Sequence, residues 1–249
     1  MDAEMKELLR RIERMEAVNE IQNVMARYVN LHCASRQDET CELFCHHTEG
    51  TWCCFSGDVF NGYEGVENHF KGFMREAEQD LTGRLYLHDI VSPLIEVSGD
   101  GQTAKAIFGT MGCETGIDED FHPMSLWSFD RYRIDFHKED GKWKIWHMDF
   151  HPTFLTPFDG KGWTHEPYYD IGANMMKKMA LEGFDFSRQD DGANAGPDKF
   201  VSYRLPERYK PFSITEVSCD IHDQIPAVFG PYDTWDEPIG PPGGGPAIM

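Results

Sequence analysis

Apolar side chains recur at spacings of three, four or six along residues 3–34, where Leu8, Ile12, Met15, Ile21, Met25, Tyr28 and His32 form one stripe. A period near 3.6 predicts a long amphipathic helix. Its first half also holds Glu4, Lys6, Arg10, Arg11, Glu13 and Arg14, which places that half in solvent or against a partner chain. Shorter helices fit residues 39–47 and 65–78. Between them, residues 51–55 read as a short strand ending in the turn formers Ser56-Gly57-Asp58. From Arg84 the pattern changes. Segments 84–97, 104–113, 124–137 and 142–151 are rich in β-formers, and Gly99-Asp100-Gly101, Gly116-Ile117-Asp118 and Glu139-Asp140-Gly141 separate them. Three helices followed by a mostly antiparallel meander predict an α+β domain over residues 1–151.

Residues 152–249 differ in texture. They hold 12 of the 14 prolines, which argues against long helices or central strands there. They also hold 14 of the 32 aromatic residues, including Trp163, Tyr168, Tyr169, Tyr209, Phe229 and Trp235, which argues against free disorder. One helix fits residues 170–181. The rest is expected to be an irregular extension packed on the core or on a neighbouring subunit, with a frayed Pro/Gly-rich end at 238–249.

Charge narrows the partners. Lys plus Arg number 23 against 43 for Asp plus Glu, a formal net charge of −20 over 249 residues. Such a surface has no means of holding a phosphate backbone or an anionic membrane over a broad area, so neither nucleic acid nor membrane is an expected partner. No apolar run approaches the length of a membrane span, and residues 1–14 lack an apolar signal core. The seven cysteines therefore read as reduced thiols, mostly small buried residues, in a cytoplasmic protein.

Several local words occur in a fixed order: Glu13-Arg14-Met15-Glu16-Ala17, Met25-Ala26-Arg27-Tyr28, Glu42-Leu43-Phe44 and Gly62-Tyr63-Glu64-Gly65. His88, then Ile95-Glu96-Val97-Ser98-Gly99-Asp100 and Asp140-Gly141-Lys142-Trp143-Lys144-Ile145, follow. Together these resemble a SnoaL-like member of the nuclear transport factor 2-like (NTF2-like) superfamily over roughly residues 8–151. The resemblance implies a cone, with helices against the concave face of a curved sheet and a pocket at the wide end. It further implies cofactor-independent acid–base chemistry on a small hydrophobic or aromatic substrate, in a homo-oligomer (dimer or trimer). Residues 152–249 have no counterpart in the minimal family domain.

Four residues are the catalytic candidates. Tyr28 lies late on the apolar face of the first helix. Its phenol, with an ordinary pKa of ~10, can hydrogen-bond a developing oxyanion while staying neutral, a role the resemblance implies. His32 falls on the same face one turn later. Some relatives carry an aspartate five positions after the tyrosine, where this chain has Cys33. His88 matches the general base or acid of the family's dehydratases, and an imidazole of pKa ~6.5 can accept and return a proton near neutrality. Asp130 shares a strand face with Leu126, Tyr132, Ile134 and Phe136, where a carboxylate is costly unless paired or functional. It can orient an imidazole, act as a base, or form an internal salt bridge.

Alternation in the last strand places His147, Asp149 and His151 on the face of Trp143 and Ile145, so His147 and His151 are expected to line the pocket with Trp52, Phe55, Trp127 and Phe150. A subunit interface would explain that alternation equally. Cys41 and Cys45 at i, i+4 could share a metal, as could His147 and His151 with Asp149, but no second pair at finger spacing follows and no bound metal is expected. Gly-x-Ser-x-Gly is absent, which disfavours covalent catalysis. With these residues, the resemblance implies a cofactorless lyase eliminating water, formaldehyde or both from a hydroxylated aromatic or polycyclic molecule, such as a lignin-type diaryl or phenylpropanoid compound in aromatic catabolism. A polyketide cyclase or isomerase and a non-catalytic ligand-binding module are the alternatives.

Overall fold

The computed structural model describes residues 2–55, 58–78 and 80–183. Helix α1 (Ala3–Cys33) starts where the Asp2 side chain accepts a hydrogen bond from the Met5 N–H, satisfying one of the free donors of the first turn. It buries Arg14, Ala17, Ile21, Met25, Tyr28 and Val29. Leu8, Ile12 and Met15 stay exposed, so only the second half of the predicted stripe faces the core. Helix α2 (Gln37–Cys41) is shorter than the sequence suggests. The third predicted helix is composite: α3 (Gly62–Glu67), a π-helical stretch (Asn68–Met74) and α4 (Arg75–Ala77). The wider π turn brings the consecutive residues His69 and Phe70 inward together.

Six strands form one mixed sheet in the order β2-β1-β6-β5-β4-β3. They are β1 (Trp52–Phe55), β2 (Asp58–Asn61), β3 (Tyr86–Val97), β4 (Thr103–Ile117), β5 (Pro123–Glu139) and β6 (Lys142–Pro157). All neighbours are antiparallel except β1 and β6, which run parallel. The α1 face of the sheet carries the main core, where Ile21, Met25 and Tyr28 meet Phe70, Phe108, Tyr132, Ile134 and Phe136. This is the expected α+β arrangement of N-terminal helices on a curved sheet. The sheet is open, not closed into a barrel.

The boundary expected at residue 151 falls inside β6, which continues through Pro152 to Pro157. Pro152 lies past the end of the β1 ladder at Phe150 and at a register shift between β5 and β6, where the ladder admits a proline. Helix α5 (Ile171–Leu181) returns against β4, with Asn174 Nδ2 donating to the Ile117 carbonyl at 3.2 Å. The remainder of the predicted extension, from residue 184, lies outside the described residues.

A β-bulge at Trp146 reverses the facing of β6. Phe136 pairs with Ile145 and Asp135 with His147, so Trp146 has no opposite number. Trp143 and Ile145 face the core, whereas His147 turns to the opposite face. There its Nδ1 lies 2.8 Å from Asp135 Oδ2 and its ring stacks on Trp52 at 5.2 Å.

At the far end of β5, Glu139 ties down the loop after α2. Its carboxylate accepts hydrogen bonds from the backbone N–H groups of His46, His47 and Thr48 at 2.8–2.9 Å, and from the Thr48 hydroxyl at 2.8 Å. Burial alone would raise its pKa, but these donors hold it well below the usual carboxylate range. A depressed folded-state pKa contributes stability above the unfolded value of ~4.3 that is lost as pH falls through it. Replacing Glu139 by Gln is expected to cost about 1–3 kcal/mol in urea unfolding at pH 7, with the gap to wild type closing below pH ~4.

Candidate active site

The register of β3, β4 and β5 determines which side chains meet under α1. His88 pairs with Gly112, which pairs with Ser128; Thr110 pairs with Asp130, and Glu114 with Leu126. His88 therefore lies between two carboxylates. Its Nε2 is 3.4 Å from Glu114 Oε1 and its Nδ1 is 3.6 Å from Asp130 Oδ2. All three side chains are buried, Glu114 least so at 10% exposure against 4% for His88 and 1% for Asp130. Ser128 Oγ donates to Asp130 Oδ2 at 2.5 Å.

Burial alone would lower the His88 pKa, but the carboxylates of Asp130, Glu114 and Asp89 outweigh it and raise the pKa above the ordinary value. Burial lifts the Glu114 carboxyl, and the Asp130 charge adds to the effect against the opposing pull of His88. One donor atom from each of His88, Glu114 and Asp130 lies within 4.8 Å of the others, close enough to hold one cation. No other trio of His, Cys, Asp and Glu is so placed among the described residues.

Helix α1 supplies the facing wall. The His32 ring is 5.5 Å from that of His88 and stacks on Tyr28 at 5.9 Å. Tyr28 is fully buried among Phe44, Phe70 and Tyr132, and its hydroxyl has no hydrogen-bond partner among the described residues. Burial, followed by the nearby thiols Cys53 and Cys33, pushes its pKa well up, so Tyr28 is a neutral phenol across the working pH range. On the sheet side, Phe150 packs on Tyr132 at 4.7 Å and reaches His88 at 6.2 Å. Phe55 follows at 5.8 Å from Phe150 and stacks on His69 at 4.2 Å.

Three expected pocket residues lie elsewhere. Trp52 shares the outer face with His147 because β1 is in register with the part of β6 that follows the bulge. Trp127 alternates away from Ser128 and Asp130, is 45% exposed, and packs on Phe158. None of these three lines the pocket. The His151 side chain lies outside the described residues.

Glu114, Ser128 and His69 were absent from the candidates. The alternation Ala104, Ala106, Phe108, Thr110, Gly112 puts Glu114 on the inner face once β4 is extended past residue 113. A pocket of about 190 Å³ opens between Cys33–Ser35 at the end of α1 and Leu81, Arg84, Leu85 and Tyr86, the last of which pairs with Glu114.

His32 and His69 are held neutral. Burial lowers both pKa values to about 3, with the neighbouring histidines adding to it and the Gln37 contact opposing it at His32. For a histidine whose folded pKa lies below the unfolded ~6.5, the unfolded chain binds the extra proton first, so stability falls as pH drops below that value. Urea midpoints are expected to decrease between pH 7.5 and 5, and His69→Phe is expected to lose less over that interval than wild type.

A curved sheet under a long first helix, with a histidine–carboxylate cluster buried between them, defines a protein of the NTF2-like class. The match is specific: the SnoaL-like domain family covers residues 13–149, more than half of the chain, and the chain belongs to that family. Among solved structures, LinA aligns at 13% identity with a TM-score of 0.50, covering 61% of this chain and 95% of LinA. The hexachlorocyclohexane dehydrochlorinase LinA-type3 from Novosphingobium barchaimii LL02 gives 15% identity and a TM-score of 0.49, over 60% of this chain and 94% of that one. The putative scytalone dehydratase of Novosphingobium aromaticivorans DSM 12444 gives 15% and 0.46, over 60% and 92%. No curated protein matches. No helix among the described residues is long and apolar enough to cross a membrane.

Proposed function

We propose that the protein is a cofactorless lyase that removes water, formaldehyde or both from a hydroxylated aromatic molecule by acid–base elimination. The observation that supports this best is His88, buried beside two carboxylates and facing the His32–Tyr28 wall across 5.5 Å. An elimination needs one group to take a proton from carbon and another to assist the departing oxygen. His88 is the proton acceptor, oriented by Asp130. Tyr28, a neutral buried phenol without a partner, is the donor toward negative charge developing on oxygen. Phe150 and Phe55 offer flat apolar surface on the same side, which suits an aromatic substrate of the lignin-type diaryl or phenylpropanoid class.

A panel of hydroxylated diaryl, phenylpropanoid and steroid compounds, incubated without cofactor and analysed by mass spectrometry, tests the reading. Loss of water or formaldehyde supports it. A product of unchanged mass points to a cyclase or isomerase. No turnover, with ligands that raise the melting temperature of wild type and His88→Ala equally, points to a binding module.

Tyr28→Phe separates chemistry from packing. Because the hydroxyl has no partner among the described residues, its removal should leave stability within about 1 kcal/mol of wild type or raise it. Loss of a donor aimed at developing charge should lower kcat by about 10²-fold. A stability loss well beyond that range would show that the hydroxyl is structurally engaged.

A further inference from the structure

We infer that Glu114 is the second acid–base residue of this site: it carries the proton given to the leaving oxygen and recovers it from His88. The inference rests on the elimination reading above and adds the group that completes it. Four observations lead there.

Of the three clustered side chains, Glu114 is the most exposed. Its cross-strand neighbour Tyr86 lines the 190 Å³ pocket, as does Cys33, whose thiol feels the Glu114 charge. A group approaching the cluster reaches Glu114 more readily than Asp130, which is 1% exposed.

Hydrogen bonding separates the two carboxylates. The Ser128 hydroxyl has one hydrogen and donates it to Asp130 Oδ2. Its effect on Glu114 favours the carboxylate form, but burial of Glu114 and the Asp130 charge outweigh it.

Electrostatics points the same way. The charged or titratable groups that interact with Glu114 include His88 on β3, Asp130 and Tyr132 on β5, and Cys33 on α1. His32 is neutral, so one imidazole serves two buried carboxylates, and the arrangement favours a shared proton over a second negative charge.

Finally, His88 Nε2 and Glu114 Oε1 sit side by side at 3.4 Å, close enough to exchange a proton. In the reaction, His88 Nε2 takes the proton from carbon and the C–H electrons form the double bond. The C–O bond breaks with its electrons on oxygen, and the departing hydroxyl takes the Glu114 proton to leave as water. The His88 imidazolium then returns its proton to the Glu114 carboxylate, restoring both groups.

The test uses the full-length protein and two readouts. Infrared difference spectroscopy at pH 7 is expected to show a protonated-carboxyl C=O band that disappears in Glu114→Gln and persists in Asp130→Asn. This arm needs no substrate, so it stands or falls apart from the lyase reading. With a substrate from the panel, Glu114→Gln is expected to lower kcat by about 10²–10⁴-fold with little change in KM, while Glu114→Asp recovers part of the rate and shifts the pH profile. Absence of the band, its persistence in Glu114→Gln, or full kcat in that variant would overturn the assignment. So would tight Zn²⁺ or Mn²⁺ binding that Glu114→Gln abolishes together with activity lost to chelator, since the trio would then be a cation site.

Discussion

His88→Gln is expected to lower kcat by about 10³–10⁴-fold, the upper range for removal of a positioned acid–base group. Gln keeps hydrogen-bonding capacity and approximate volume but cannot take a proton from carbon. The effect on folding has its own pH signature. The folded-state pKa of His88 is raised, so its contribution to stability is fully present below the unfolded value and is lost as pH rises through the folded one. In the variant, Asp130 and Glu114 face each other without the imidazole between them, and breaking such a buried pairing typically costs about 3–5 kcal/mol. Urea unfolding should therefore show the largest deficit below pH ~6.5, narrowing at higher pH. A deficit independent of pH would mean that His88 is neutral in the folded protein throughout.

Gly112→Ala is the second large effect, and it acts through the backbone. A Cβ at Gly112 would lie 1.9 Å from the Leu87 carbonyl oxygen and 3.5 Å from the His88 Cα. Both nearest atoms are main chain, so no side-chain rotation relieves the clash, and β3 must move away from β4 where it carries His88. The cost is expected to be about 3 kcal/mol or more, a fall in Tm of roughly 6–12 °C for a chain of this size. Activity should fall with it, because the 3.4 Å and 3.6 Å contacts of His88 depend on that strand pairing. An alanine variant with wild-type Tm would show that β3 and β4 are not held this closely.

The parts of the fold that the sequence made legible are those where one period runs unbroken. The second half of α1 keeps its 3.6-residue stripe into the core. Strand β5 keeps strict alternation because its ladder with β4 is continuous from Thr103 to Ile117, so Leu126, Asp130, Tyr132, Ile134 and Phe136 share a face. Legibility fails where the period breaks. The Trp146 bulge turned His147 and, through the parallel pairing, Trp52 to the outer face, inverting what alternation from Trp143 predicts. The π turn brings His69 inward beside Phe70, which no 3.6 period marks. Glu114 was hidden differently: its alternation is correct, but β4 runs four residues beyond the expected end at 113, through Glu114-Thr115-Gly116-Ile117, whose turn-like close carries no strand signal.

The exposed first half of α1 has a simpler physical origin. Its apolar residues are interleaved with charges on every side, and the sheet edge it could cover ends near Val97, whose carbonyl accepts from Arg14 Nη2 at 2.7 Å. Toward the N-terminus from Arg14, the apolar residues Ile12, Leu9, Leu8 and Met5 are 39–49% exposed.

Proton abstraction from carbon by His88 is tested most directly with a substrate deuterated at the carbon next to the hydroxyl-bearing one. Wild type should turn the labelled compound over more slowly than the unlabelled one and release the label to solvent, while His88→Gln should do neither at a measurable rate. Equal rates with the label retained in the product, or label loss unchanged in His88→Gln, would contradict it.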